Sequence, residues 1–172
     1  LAACSGINVS QDYNPATTFQ SMDTFAWVSE AQEKTGDPRI DNPLRDTRIR
    51  AAVERVLTQK GHTLTDDGRP TFLIQYQYLL RSRIDSNSGS PTVGFGVGSY
   101  GRHGGIAIGT STGDPVREYD EGSLVIDFLT PQGAELLWRG TGTQMFKQYD
   151  DPEKTTRDID ALVEKILDQF PP

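Results

Sequence analysis

Apolar positions along the 172-residue chain repeat with two periods, one helical and one extended. Ile49, Val53, Val56 and Leu57 recur at i, i+4, i+7 and i+8, which places them on one stripe of a helix. Asn42 can cap that helix, Pro43 suits its first position, and Gly61 supplies a left-handed stop. Arg48, Arg50, Glu54 and Arg55 lie mostly away from the stripe. A second helix begins at Asp151-Pro152-Glu153, carries the stripe Ile159, Leu162, Val163, Ile166, Leu167 and Phe170, and ends at Pro171-Pro172.

Strand periodicity appears between these helices. Phe72, Ile74, Tyr76, Tyr78 and Leu80 alternate with Leu73, Gln75, Gln77 and Leu79, the pattern of a long strand with one strongly apolar face. Leu124, Ile126 and Phe128 alternate with Val125, Asp127 and Leu129 in another strand. Thr130-Pro131-Gln132-Gly133 is a turn, and Leu136, Trp138 and Gly140 continue beyond it, so residues 122–146 read as a hairpin. Phe25-Ala26-Trp27-Val28 reads as a short strand and residues 29–41 as a polar loop. Residues 1–23 read as a polar N-terminal tether that touches a short strand near Ile7-Asn8-Val9, and residues 24–172 as a single domain. The expected fold is a two-layer α+β domain: an antiparallel sheet with two helices packed on one face and a Gly-rich excursion.

That excursion, residues 89–113, holds 9 of the 17 glycines. Three readings stand open: a surface loop, a hairpin turning at residues 101–104 that extends the sheet, and a hairpin that touches a membrane or a second subunit. Nine glycines add no side chains to a core. Val93, Phe95, Val97, Ile106 and Ile108 nevertheless keep alternating positions, and with Tyr100 they are the candidate interaction residues. Two motifs in the segment mimic catalytic signatures. Gly96-Val97-Gly98-Ser99-Tyr100-Gly101 matches a dinucleotide fingerprint, but Arg102-His103-Gly104-Gly105 cannot open the helix it requires. Gly109-Thr110-Ser111-Thr112-Gly113 matches a nucleophile elbow, yet Asp114-Pro115 follows it and both histidines, His62 and His103, precede Ser111.

Composition narrows the chemistry further. With 17 Lys+Arg against 24 Asp+Glu the net charge is −7, which disfavours nucleic acid as a partner. Two histidines and one cysteine cannot build a typical zinc site, and EF-hand spacing is absent. No enzymatic activity, metal or cofactor is implied. His62 reads as a surface residue, and Trp27 and Trp138 as core. Asp127 and Arg139 stand where they can pair across the hairpin, for a fraction of a kcal/mol.

The only cysteine, Cys4, sits in Leu1-Ala2-Ala3-Cys4-Ser5, which resembles a bacterial lipobox. Acylation at Cys4 would tether the chain to a membrane, since each buried methylene contributes about 0.8 kcal/mol. Ser5 rather than Asp after the cysteine points to the outer membrane, on its periplasmic face.

Several landmarks occur in an order that resembles the bacterial lipoprotein family Domain of Unknown Function 4136. They are Thr24-Phe25-Ala26-Trp27, Asn42-Pro43-Leu44, Arg48-Ile49-Arg50-Ala51-Ala52, Lys60-Gly61-His62, Pro70-Thr71-Phe72-Leu73-Ile74-Gln75-Tyr76, Glu121-Gly122-Ser123-Leu124-Val125-Ile126-Asp127, Leu137-Trp138-Arg139-Gly140-Thr141 and Phe170-Pro171-Pro172. The resemblance implies an envelope lipoprotein and brings no catalytic residues. The expected function is therefore a lipid-anchored periplasmic domain that works through contacts with an envelope protein or with copies of itself. The alternative is a module binding a small envelope ligand, a glycan or a lipid, on the open sheet face that carries Gln75 and Gln77.

Overall fold

The computed structural model describes residues 6–28, 34–85 and 117–172. Among these residues six strands form one sheet: β1 (Asn8–Tyr13), β2 (Thr24–Trp27), β3 (Thr63–Leu64), β4 (Phe72–Asp85), β5 (Arg117–Leu129) and β6 (Leu136–Met145), in the order β1-β6-β5-β4-β2-β3. Two helices, α1 (Pro43–Gln59) and α2 (Pro152–Leu167), lie against one face. The α+β architecture is the one the periodicity implies, and the sheet is open rather than closed into a barrel.

The helix boundaries follow the local chemistry. Asn42 and Asp151 each accept a hydrogen bond from the backbone N–H two residues on, and each helix opens on proline. Gly61, just past α1, sits at φ +95°, a conformation that other residues reach only with strain. The stripes are buried as their spacing requires: Ile49, Val53, Val56 and Leu57 from α1, and Ile159, Leu162, Val163, Ile166 and Leu167 from α2.

On β4 the residues Phe72, Ile74, Tyr76 and Tyr78 are buried against the helices, while Gln77 on the other face is exposed. Their partners on β5, Phe128, Ile126 and Leu124, stand opposite Ile74, Tyr76 and Tyr78. On β6 the next positions across are Trp138, Gly140 and Gly142. Those two glycines let α2 sit directly on the sheet backbone. A Cβ on Gly140 would come within 2.5 Å of Ile166, and one on Gly142 within 2.7 Å of both Leu162 and Ile166. Beside this gap the rings of Phe128, Trp138 and Phe170 pack at centroid distances of 4.7–5.4 Å.

Some details differ from the sequence reading. β2 runs parallel to both β3 and β4, because α1 carries the chain back to the end of the sheet where β2 began. Residues 10–13, read as tether, continue β1 and pair with β6 as far as Tyr13↔Trp138. His62 is half-buried rather than a free surface residue. Its Nδ1 lies 2.5 Å from the Met22 carbonyl, and its ring contacts Phe72 and Phe170. The turn at Gly61 folds the imidazole back under the core instead of into solvent. Trp138 is fully buried, whereas Trp27 is half-buried with its indole N–H donating to Glu54.

The seating of α2 gives a direct test. Leu162→Ala should destabilise the domain by about 2–5 kcal/mol, and Gly142→Val should also destabilise it by crowding Ile166. Urea melts of both variants measure the loss, and a change below about 0.5 kcal/mol for Leu162→Ala would mean the α2 stripe is not a core stripe.

Candidate functional site

Cys4 and the interaction residues Val93, Phe95, Val97, Tyr100, Ile106 and Ile108 lie outside the described residues, as do both mimic motifs and His103. Three described features can meet another molecule: the open sheet face, the β1 edge, and a cleft beside the helix N-termini.

The open face carries an ion pair stronger than the sequence suggests. Arg139 donates from Nε and Nη2 to the two carboxylate oxygens of Asp127, at 2.6 and 2.7 Å, and Gln75 donates to the same carboxylate. The two residues are register partners on β5 and β6. The Asp127 carboxylate holds the Arg139 guanidinium above its ordinary pKa. Asp127 is only 5% exposed although no described helix covers that face. Gln75 is therefore engaged, and Gln77 alone of that pair remains exposed.

The β1 edge follows from ladder arithmetic. Asn14 N–H donates to the Leu137 carbonyl, continuing the β1–β6 register. Antiparallel alternation then turns the backbone groups of Asn8, Ser10 and Asp12 towards β6 and those of Val9, Gln11 and Tyr13 outward. The outward N–H of Tyr13 donates to the Asp12 side chain. Val9 and Gln11 present their N–H and C=O groups where no strand follows among the described residues. All six β1 residues are exposed, and the edge bears neither Pro nor Lys. The opposite edge, β3, is only two residues long.

The cleft arises because the helices run parallel. Arg48 near the start of α1 bonds Thr156 near the start of α2, and Arg55 further along α1 pairs with Asp160 and Glu164 further along α2. Both N-termini therefore open at one end. Between them is a cleft of about 240 Å³ lined by Arg39, Asn42, Arg45, Arg48, Lys147, Gln148, Tyr149, Pro152 and Thr155. Its four charged residues are all cations, in a chain of net charge −7. Arg39 is engaged by Asp37 and Asp120. The Arg45 guanidinium lies over the rings of Tyr78 and Phe146, at 5.0 and 5.2 Å. No salt bridge to Arg45, Arg48 or Lys147 is seen among the described residues. Asp158 stands next to the cleft without lining it, and accepts from Gln144 and Tyr149. Burial pushes its carboxyl above the ordinary range, although Tyr149, Lys147, Arg45 and Gln144 all favour the ionised form.

Sequence reasoning noted Arg48 only as a residue off the α1 stripe and did not find the cleft. Its cations come from segments about a hundred residues apart, so spacing carries no signal of their convergence.

The architecture defines a small mixed α+β domain with helices on one sheet face and, among the described residues, nothing covering the other. The chain belongs to the family described as Domain of unknown function (DUF4136), whose model matches residues 9–172. No curated protein matches the chain. Among solved structures, a PDZ domain protein from Parabacteroides distasonis matches at 15% identity and TM-score 0.55, over 96% of this chain and 36% of that one. Two PelC dodecamers from Paraburkholderia phytofirmans match at 11% and 14% identity and TM-scores of 0.51 and 0.50. They cover 94% and 93% of this chain, and 94% and 96% of theirs. At these identities the likeness is one of fold.

The raised Asp158 carboxyl has a signed consequence. A carboxyl whose folded pKa exceeds its unfolded value stabilises below the unfolded value, near 3.8, and that contribution is lost as pH rises through the folded value. Urea melts across pH 3 to 7, an interval of about four units around the ordinary Asp pKa, should show wild type losing stability relative to Asp158→Asn as pH rises. A difference independent of pH would place the carboxyl in an ordinary environment.

Proposed function

We propose that this chain is a lipid-anchored domain of the bacterial envelope, tethered at Cys4 to the periplasmic face of the outer membrane, that acts without catalysis through contacts with copies of itself. The observation that carries this reading is the β1 edge, which no described strand covers, with Val9 and Gln11 presenting paired donors and acceptors outward. Such an edge is a template for strand addition. Family membership over residues 9–172 supports the lipoprotein part, alongside the Leu1-Ala2-Ala3-Cys4 start. The two PelC structures, dodecamers whose chains match nearly end to end, support the assembly part.

Two measurements test the reading. Mass spectrometry of the mature protein from its native host should find acyl chains on Cys4, and a chain unmodified at that residue would remove the anchor. Size-exclusion chromatography with light scattering, on the full chain carrying Cys4→Ser, should give an oligomer. Val9→Pro removes only an outward donor, so it should leave the thermal midpoint within about 5 °C while reducing the oligomer to monomer. A monomeric wild type, or an assembly indifferent to Val9→Pro, would contradict it.

A further inference from the structure

The cationic cleft lies apart from the β1 edge, and its chemistry is different. Three features set it off from the rest of the surface. Its charged lining is wholly cationic, although acids outnumber bases in the chain. Arg45, Arg48 and Lys147 converge there with no salt bridge among the described residues, and the one carboxylate that acts on Arg45 and Lys147, Asp158, stands beside the cleft with its own pKa raised by burial. The parallel packing of α1 and α2 brings the two helix N-termini, α1 capped by neutral Asn42 and α2 by Asp151, to the same place. Cations brought together in this way repel one another, and a bound anion relieves that repulsion.

The side chains are also held for the purpose. The Arg45 guanidinium lies over the rings of Tyr78 and Phe146, whose faces attract it. Arg48 spends Nε on Thr156, which leaves its two terminal nitrogens to donate elsewhere. Asn42, Tyr149 and Thr155 add polar groups to the wall. A planar carboxylate is satisfied by one guanidinium fork. Donors arriving from α1 on one side and from the Lys147–Thr155 segment on the other suit a tetrahedral oxyanion better. A volume of about 240 Å³ accommodates a phosphate with a small substituent.

We propose that the cleft between the two helix N-termini binds a phosphate group, carried by a soluble phosphomonoester or by a lipid headgroup. Arg45, Arg48 and Lys147 are the contacting cations. Arg39, held by Asp37 and Asp120, forms the rim.

The test uses the full chain carrying Cys4→Ser, so that acyl chains do not bring it to vesicles. Calorimetric titration with inorganic phosphate and with glycerol 3-phosphate, and flotation with phosphatidylglycerol or phosphatidylcholine vesicles, separate the two sources. Saturable binding of glycerol 3-phosphate without flotation assigns a soluble ligand; flotation with phosphatidylglycerol alone assigns a headgroup. Either outcome supports the site if Arg48→Gln/Lys147→Gln weakens binding about tenfold or more while Arg69→Gln, exposed in the turn before β4 and outside the cleft, does not. Lys147→Gln alone, at an exposed residue, should weaken binding in the same direction and guards against misfolding of the double variant. A folded wild type that binds neither phosphate compound nor anionic vesicles overturns the proposal. So does binding that all three variants retain unchanged.

Discussion

Close contact between α2 and the backbone of β6 governs the rest of the molecule. Gly140 and Gly142 leave room for Ile166 and Leu162 to rest on the strand itself, while Trp138, one pleat away, fills the space that the glycines do not. This sets the height and direction of α2. The apolar stripe of α1 then packs beside it, and Arg55 bridging to Asp160 and Glu164 holds the helices parallel. Parallel packing puts both N-termini at one end, and the cationic cleft follows from that arrangement.

The same contact also decides what remains uncovered. Both helices lie on one face, so among the described residues the sheet keeps an open side where Asp127, Arg139 and Gln75 satisfy one another. Truncating Arg139 would leave a nearly buried carboxylate with a single amide donor, which is why the pair matters more than an exposed bridge. Among the described residues the sheet also keeps a long bare edge, β1. β1 is anchored to the core through Trp138, whose indole N–H donates to Gln11, and through the contact of Tyr13 with Phe19. The strand is held firmly on its inner side while its outer backbone groups stay open.

Much of this fold is legible in the chain. The stripes of α1 and α2, both caps, the alternation of β4 and the β5–β6 hairpin are local patterns, and local patterns report on local structure. What escapes them depends on distant partners. Nothing within Thr24–Trp27 specifies that β2 lies parallel to β4, since that pairing is settled by the path of α1. Residues 10–13 look like tether because a strand that is exposed throughout has no alternation to read. His62 looks like a surface residue because the aromatic rings that bury it, Phe72 and Phe170, are close only in the folded chain. The cleft cations are the extreme case, drawn from residues 39–48 and from Lys147.

We propose that the β1 edge is where copies of this chain meet. Residue-resolved hydrogen exchange on the full chain carrying Cys4→Ser, at dilute and at assembling concentrations, reads this edge directly. Ladder alternation predicts that the amides of Ser10 and Asp12 are protected at both concentrations, and that those of Val9 and Gln11 become protected only in the assembly. Rapid exchange of Val9 and Gln11 within a formed oligomer would contradict the account, because the copies would then be meeting elsewhere.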